Sequence, residues 1–131
     1  MFRLLPFLAL ATSTINDCGV GKSLFTITKL SFFPDPPTVN ENITVQLGYS
    51  VSSGIEVTGG TTAYAITYNF LPLNPTVEDL CTQTTCPLVA GSYTQESTFL
   101  FPELSGSVIV TTTWKDLAGR QLLCYKINTK V

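Results

Sequence analysis

Residues 17–23 read DCGVGKS, and Gly19-Val20-Gly21-Lys22-Ser23 resembles the close of a nucleotide-binding loop. Such a loop needs G-x-x-x-x-G-K-[ST], whose backbone N–H groups wrap phosphates at the start of a helix. With Gly21-Lys22-Ser23 as the closing triplet, the opening glycine would stand at position 16, which is Asn16. The segment that follows, LFTITKLSFF, has the pattern of a strand and not of a helix. Nucleotide binding is therefore set aside, and Lys22 and Lys29 are read as surface charges. The chain has no histidine, so neither a Ser-His-Asp nor a Cys-His arrangement can be assembled. Glu78-Asp79 is the one adjacent acidic pair, and it reads as part of a solvated loop before Cys81. Glycoside hydrolysis would need two carboxylates converging across a cleft from separate elements. No catalytic residue is assigned, and no cofactor is called for.

The remaining reactive groups are Cys18, Cys81, Cys86 and Cys124. Four cysteines in a small exported domain read as two disulfides, with three pairings available. Cys81 and Cys86 enclose only TQTT and are natural partners across a tight loop, leaving Cys18 to Cys124. A zinc site would need a second C-x-x-C or a histidine, so no metal is expected. Export fits two further features. MFRLLPFLALATS (1–13) has Arg3, a short apolar stretch and small residues, the layout of a signal peptide cleaved after Ala11 or Ser13. The other reading of this segment is an ordinary apolar first strand. It is too short for a membrane span, which takes about 20 apolar residues. Asn42-Ile43-Thr44 is a glycosylation sequon, whereas Asn74-Pro75-Thr76 contains the forbidden proline. A secreted or endolysosomal location and a domain over 14–131 are the expectation.

These groups need a scaffold. At 131 residues the chain suits one domain with a real core. Only 12% of residues are charged and 44% are hydrophobic, so either the surface is unusually apolar or apolar residues line an interior space. A formal charge of −2 without a basic cluster argues against nucleic acid. Alternation dominates the pattern. Ile43, Val45, Leu47, Tyr49 and Val51 share a face, as do Tyr64, Ile66, Tyr68 and Phe70; Tyr93, Phe99 and Phe101; Val108, Val110, Thr112 and Trp114; and Leu123, Tyr125 and Ile127. Turn signals at PDPPTVNEN, SSG, TGG, LPLNP, ELSGS and DLAGR separate these runs. Six or seven strands imply an all-β antiparallel sandwich. Trp114 comes ten residues before the last cysteine, so Cys18–Cys124 looks like an edge staple and not the pin of a true immunoglobulin domain. FLPLNP (70–75) and FLFPEL (99–104) end strands with proline-broken apolar runs. They either seal an ordinary core or form the mouth of an apolar pocket.

DCG (17–19), FPDPPTVNENITV (33–45), EDLCTQTTCPLVAGSY (78–93) and TTTWKDLAGRQLLCYKI (111–127) together resemble the ML lipid-recognition family. That family includes soluble sterol carriers, lipid A co-receptors, mite group 2 allergens and phosphatidylglycerol/phosphatidylinositol transfer proteins. The resemblance implies an immunoglobulin-like sandwich holding a sterol or phospholipid between its sheets, with no covalent chemistry, and the same two disulfides. The chain lacks the third cysteine pair of the sterol-carrier branch; proline takes its place in SFFPDPPT, as in the fungal and plant branches. Trp114 and Leu123-Cys124-Tyr125 look more like the sterol carriers. By position, Leu71 and Leu73 match pocket residues, Phe101 and Leu104 the entrance, and Ile43, Val45, Val108, Val110 and Trp114 the inward wall. Phe70 and Phe99 belong to the two mouth runs, and Asn42 would carry the glycan. The implied function is a monomeric lipid carrier that meets membranes or a membrane receptor. A lipid-recognition adapter or adhesion module of innate immunity is the alternative, and a glycan-active enzyme using Glu78 and Asp79 is a third.

Overall fold

The structure is a computed structural model that describes residues 13–101, 103 and 106–130. The leader over 1–12 and the candidate entrance residue Leu104 lie outside the described residues. Nine strands follow in order: β1 (Ser13–Asp17), β2 (Thr26–Phe33), β3 (Asn42–Val51), β4 (Gly60–Tyr68), β5 (Leu71–Pro72), β6 (Thr76–Asp79), β7 (Gly91–Leu100), β8 (Ser107–Asp116) and β9 (Gln121–Lys130). A 3-10 turn covers Leu80–Thr82. One sheet runs β1-β9-β8-β4-β5, with β6 also paired to β4, and the other runs β2-β3-β7. Every pairing is antiparallel. The fold is an all-β, immunoglobulin-like sandwich.

Alternation sets which faces meet. In β3, Ile43, Val45, Leu47, Tyr49 and Val51 are buried, and in β8 Val108, Val110, Thr112 and Trp114 are buried. Tyr49 stacks between Phe25 and Tyr93, with ring centroids 5.5 and 5.2 Å away, and meets Trp114 edge-on at 5.3 Å. These large rings fill one part of the sandwich to core density. Strand β9 is buried at four consecutive positions, Leu122 to Tyr125, because the chain after β1 runs alongside it. Cys18 and Phe25 donate backbone bonds to the carbonyls of Cys124 and Leu122. Cys18 is bonded to Cys124 and Cys81 to Cys86, closing separations of 106 and 5 residues.

Three expectations change. Among the described residues the strands number nine and not six or seven, because β5 and β6 occupy the stretch read as the LPLNP turn and the loop before Cys81. Every residue of β5 and β6 is exposed, so neither shows an apolar alternation. Glu78 and Asp79 are therefore strand residues; Asp79 also caps the 3-10 turn by accepting from the Cys81 amide at 2.9 Å. Ser13 pairs with Thr129 at the start of β1. Phe70 leaves the face of Tyr64, Ile66 and Tyr68, because β4 ends at Tyr68. The GVGKS stretch is a tight turn in which the Lys22 and Ser23 amides both donate to the Gly19 carbonyl. Gly21 supplies the left-handed φ of +78° that this turn needs.

At the far end, Asp116 organises the β8–β9 turn. Its carboxylate accepts from the Ala118 and Arg120 amides and from the Arg120 guanidinium, at 3.0, 2.8 and 2.8 Å. Burial opposes its ionisation, but these donors outweigh that and hold the carboxyl below its ordinary value. A depressed carboxyl stabilises the fold above its unfolded pKa, and the contribution fades as pH falls through the folded value. Asp116→Ala is expected to lower stability by about 2 kcal/mol at neutral pH. In urea melts at pH 7 and pH 3 the loss should be visibly smaller at the lower pH.

Candidate functional site

A cavity of about 320 Å³ lies between the two sheets where their edge strands face each other, β7 on one side and β6 beyond β4 on the other. Its walls come from inward positions of three strands: Tyr64 and Ile66 of β4, Val110 of β8, and Ser97 and Phe99 of β7. The register places Ile66 beside Val110 and Tyr64 beside Thr76. Lining residues thus separate along the strands. Ile66, Phe99, Leu100 and Val110 make an apolar end and Tyr64, Thr76, Glu78, Gln83 and Ser97 a polar end, with Thr98 between them. Gln83 Nε2 donates to Glu78 Oε1 at 3.0 Å across the polar rim. The Cys81–Cys86 bridge closes the short loop that carries Gln83. Burial raises the Tyr64 phenol above its ordinary pKa, and the Glu78 charge adds to the rise. Tyr64 is therefore a neutral hydroxyl at physiological pH.

The aromatic cluster around Tyr49 fills the part of the sandwich between β3 and β8, away from this cavity. Between β3 and β8 the facing positions carry large rings and branched aliphatics. At the β4/β7 margin the inward positions Tyr64, Ile66, Ser97 and Phe99 are only half-buried and border open space. Small-molecule sites are usually apolar clefts with a few placed polar groups; this cavity stands at the small end of the usual size range and is more polar than most.

Of the sequence candidates, Phe99 and Val110 line this cavity. Ile43, Val45, Phe101, Val108 and Trp114 are buried in the packed core and are not among its lining residues. Phe70, Leu71 and Leu73 stand on the exposed surface. They cluster at the end of the sandwich that the cavity's apolar end approaches, since Leu71 pairs with Tyr68 and the Leu73 amide donates to the Ile66 carbonyl. Phe70 is 85% exposed at the tip of the β4–β5 hairpin. Asn69 and Phe70, the two turn residues, have φ of +48° and +68°. Such a turn favours Asn-Gly; asparagine fits its first position, whereas phenylalanine is strained in the second. Asn69 is pinned there by accepting from the Ser107 amide and donating to its carbonyl, at 2.9 and 2.8 Å.

Sequence reasoning missed Tyr64, Ile66, Thr76, Glu78, Gln83 and Ser97 as lining residues. The inward alternation of Tyr64 and Ile66 was the available signal. Among the described residues no group of three or more His, Cys, Asp or Glu side chains is placed to hold a metal ion, and no helix is long and apolar enough to cross a membrane.

Residues 12–131 match the ML domain family. The chain belongs to that family. Among its relatives, a phosphatidylglycerol/phosphatidylinositol transfer protein of Mycosarcoma maydis is 30% identical, over 86% of this chain and 63% of its own length. A Dictyostelium discoideum protein whose name provisionally assigns it the same transfer activity is 29% identical, over 89% of this chain and 85% of its own. The ML fold is shared with a Niemann-Pick type C2 protein from the Japanese carpenter ant, at TM-score 0.69 and 16% identity, covering 89% and 98% of the two chains. Chicken MD-1, solved in complex with lipid IVa, aligns at TM-score 0.61 and 9% identity over 90% and 88%.

Proposed function

We propose that this ML domain binds one lipid in the cavity between its sheets and carries it between membranes, without catalysing a reaction on it. The observation that carries this reading is the between-sheet cavity with one apolar and one polar end, in a chain whose relatives are named for lipid transfer. The ligand is a sterol or a phospholipid, with a chain or ring body among Ile66, Phe99 and Val110. A lipid of about 27 non-hydrogen atoms at about 0.3 kcal/mol each would bind with about 8 kcal/mol, or micromolar affinity, which suits a cargo that must be released. Phe101 and Val108 support the apolar end from the core, Ile43, Val45 and Trp114 back the wall, and Leu104 belongs to the entrance. The two disulfides and the Asn42 sequon suit a secreted or endolysosomal protein. A glycan on Asn42 would stand at the start of β3, in the sheet opposite Phe70.

The strained, exposed Phe70 tip with Leu71 and Leu73 is the surface that meets the membrane. Strain kept at an exposed aromatic is a mark of function, since a glycine would adopt the same turn freely. Phe70→Gly is therefore expected to raise stability by about 1 kcal/mol while slowing lipid transfer between phosphatidylcholine vesicles several-fold. Unchanged transfer with higher thermal stability would remove Phe70 from the function.

A further inference from the structure

We infer that the polar end of this cavity selects lipids with an uncharged, hydrogen-bond-donating head, a hydroxyl above all, and disfavours anionic heads; this rests on the lipid-binding reading above. The ionisable side chains at the polar end are Glu78 and the neutral phenol of Tyr64, joined by the amide of Gln83, and no Lys or Arg lines the cavity. The six described cations stand elsewhere: Lys22 in the turn after β1, Lys29 in β2, Lys115 in β8, Arg120 in the β8–β9 turn against Asp116, and Lys126 and Lys130 in β9. A phosphate or carboxylate entering head-last would meet the Glu78 carboxylate with nothing to neutralise either charge. Glu78 is exposed at the rim, so the two like charges repel through solvent, most strongly at low salt.

A hydroxyl, in contrast, is matched at every position. Glu78 has one oxygen engaged by Gln83 Nε2 and a second with no recorded partner, so it can accept from the ligand. Tyr64, Thr76 and Ser97 offer hydroxyls able to donate to the same oxygen. The selection inferred here runs against the phosphate-bearing heads in the names of the Mycosarcoma and Dictyostelium relatives.

The test compares two probes of one chain length, a fluorescent monoacylglycerol and the corresponding fatty acid, titrated at pH 8 and low salt. The wild-type protein should bind the monoacylglycerol about tenfold more tightly. Glu78→Gln should shrink that gap to about threefold or less, and Glu78→Lys should invert it. Glu78 is exposed on an edge strand, so both variants should keep the wild-type circular dichroism and melting profile. Equal or tighter wild-type binding of the fatty acid would overturn the selection while leaving lipid binding in place. A gap unmoved by Glu78→Gln would also overturn it. Failure to bind either probe would overturn the lipid-binding reading, and the selection with it.

Discussion

Ile66→Trp should abolish lipid uptake while leaving the sandwich folded. Ile66 is half-buried and faces open space, so a larger ring enters the cavity without displacing packed neighbours. If the indole excludes three or four methylenes of ligand, at about 0.8 kcal/mol each, the loss is about 3 kcal/mol, or on the order of a hundredfold in affinity. Ser97→Trp fills the same space from β7 and should act alike, whereas the core residue Val108, on the same sheet but not lining the cavity, should affect stability when truncated and binding far less. Fluorescent-lipid titrations beside thermal melts would separate the two effects. Full-strength binding by folded Ile66→Trp and Ser97→Trp proteins would place the ligand elsewhere.

The two disulfides should fail in different ways. Cys18–Cys124 closes a separation of 106 residues and ties β9 to the segment that covers it. By chain-entropy reasoning, the paired change Cys18→Ser/Cys124→Ser should cost about 4 to 5 kcal/mol. For a domain of this size that corresponds to a fall in Tm of about 15 °C or more. Cys81–Cys86 closes a separation of 5 residues, so Cys81→Ser/Cys86→Ser should cost only about 2 kcal/mol. That loop carries Gln83, however, and Gln83 orients the Glu78 carboxylate at the rim. Its removal should therefore weaken lipid binding in protein that remains folded, measured well below its Tm. Equal stability losses for the two pairs would refute the assignment of one to the fold and the other to the site.

What the sequence made legible was the part of the fold in which two faces differ. The alternation of Ile43 to Val51 and of Val108 to Trp114 announces strands with one buried face, and both are buried as read. The covered edge and the margin were less legible, for physical reasons. Strands β5 and β6 pair only with β4 and bury no residue, so hydrogen bonding alone defines them, and Pro72 and Pro75 hide the pattern further. Phe70 continues the arithmetic of Tyr64, Ile66 and Tyr68, yet the chain turns one residue after Tyr68 because Asn69 is held by Ser107, 38 residues away. The cavity itself is a statement about what two strands fail to fill. Tyr64 and Ile66 were legible as an inward face, but whether that face meets a ring or a gap depends on Ser97 and Phe99 across the other sheet. Gln83 and Glu78 look like solvated loop residues in sequence, since a polar rim and a polar surface have the same composition.

Lipid carriage is tested most directly by asking what the folded protein already contains. Wild-type protein and Ile66→Trp, secreted from the same eukaryotic host, would be purified without detergent, extracted with organic solvent and analysed by mass spectrometry. About one lipid per wild-type chain, with an uncharged head predominating, and none in Ile66→Trp is the expected result. A wild-type chain that is lipid-free and takes up nothing from vesicles, or an Ile66→Trp chain as fully loaded as wild type, would contradict it.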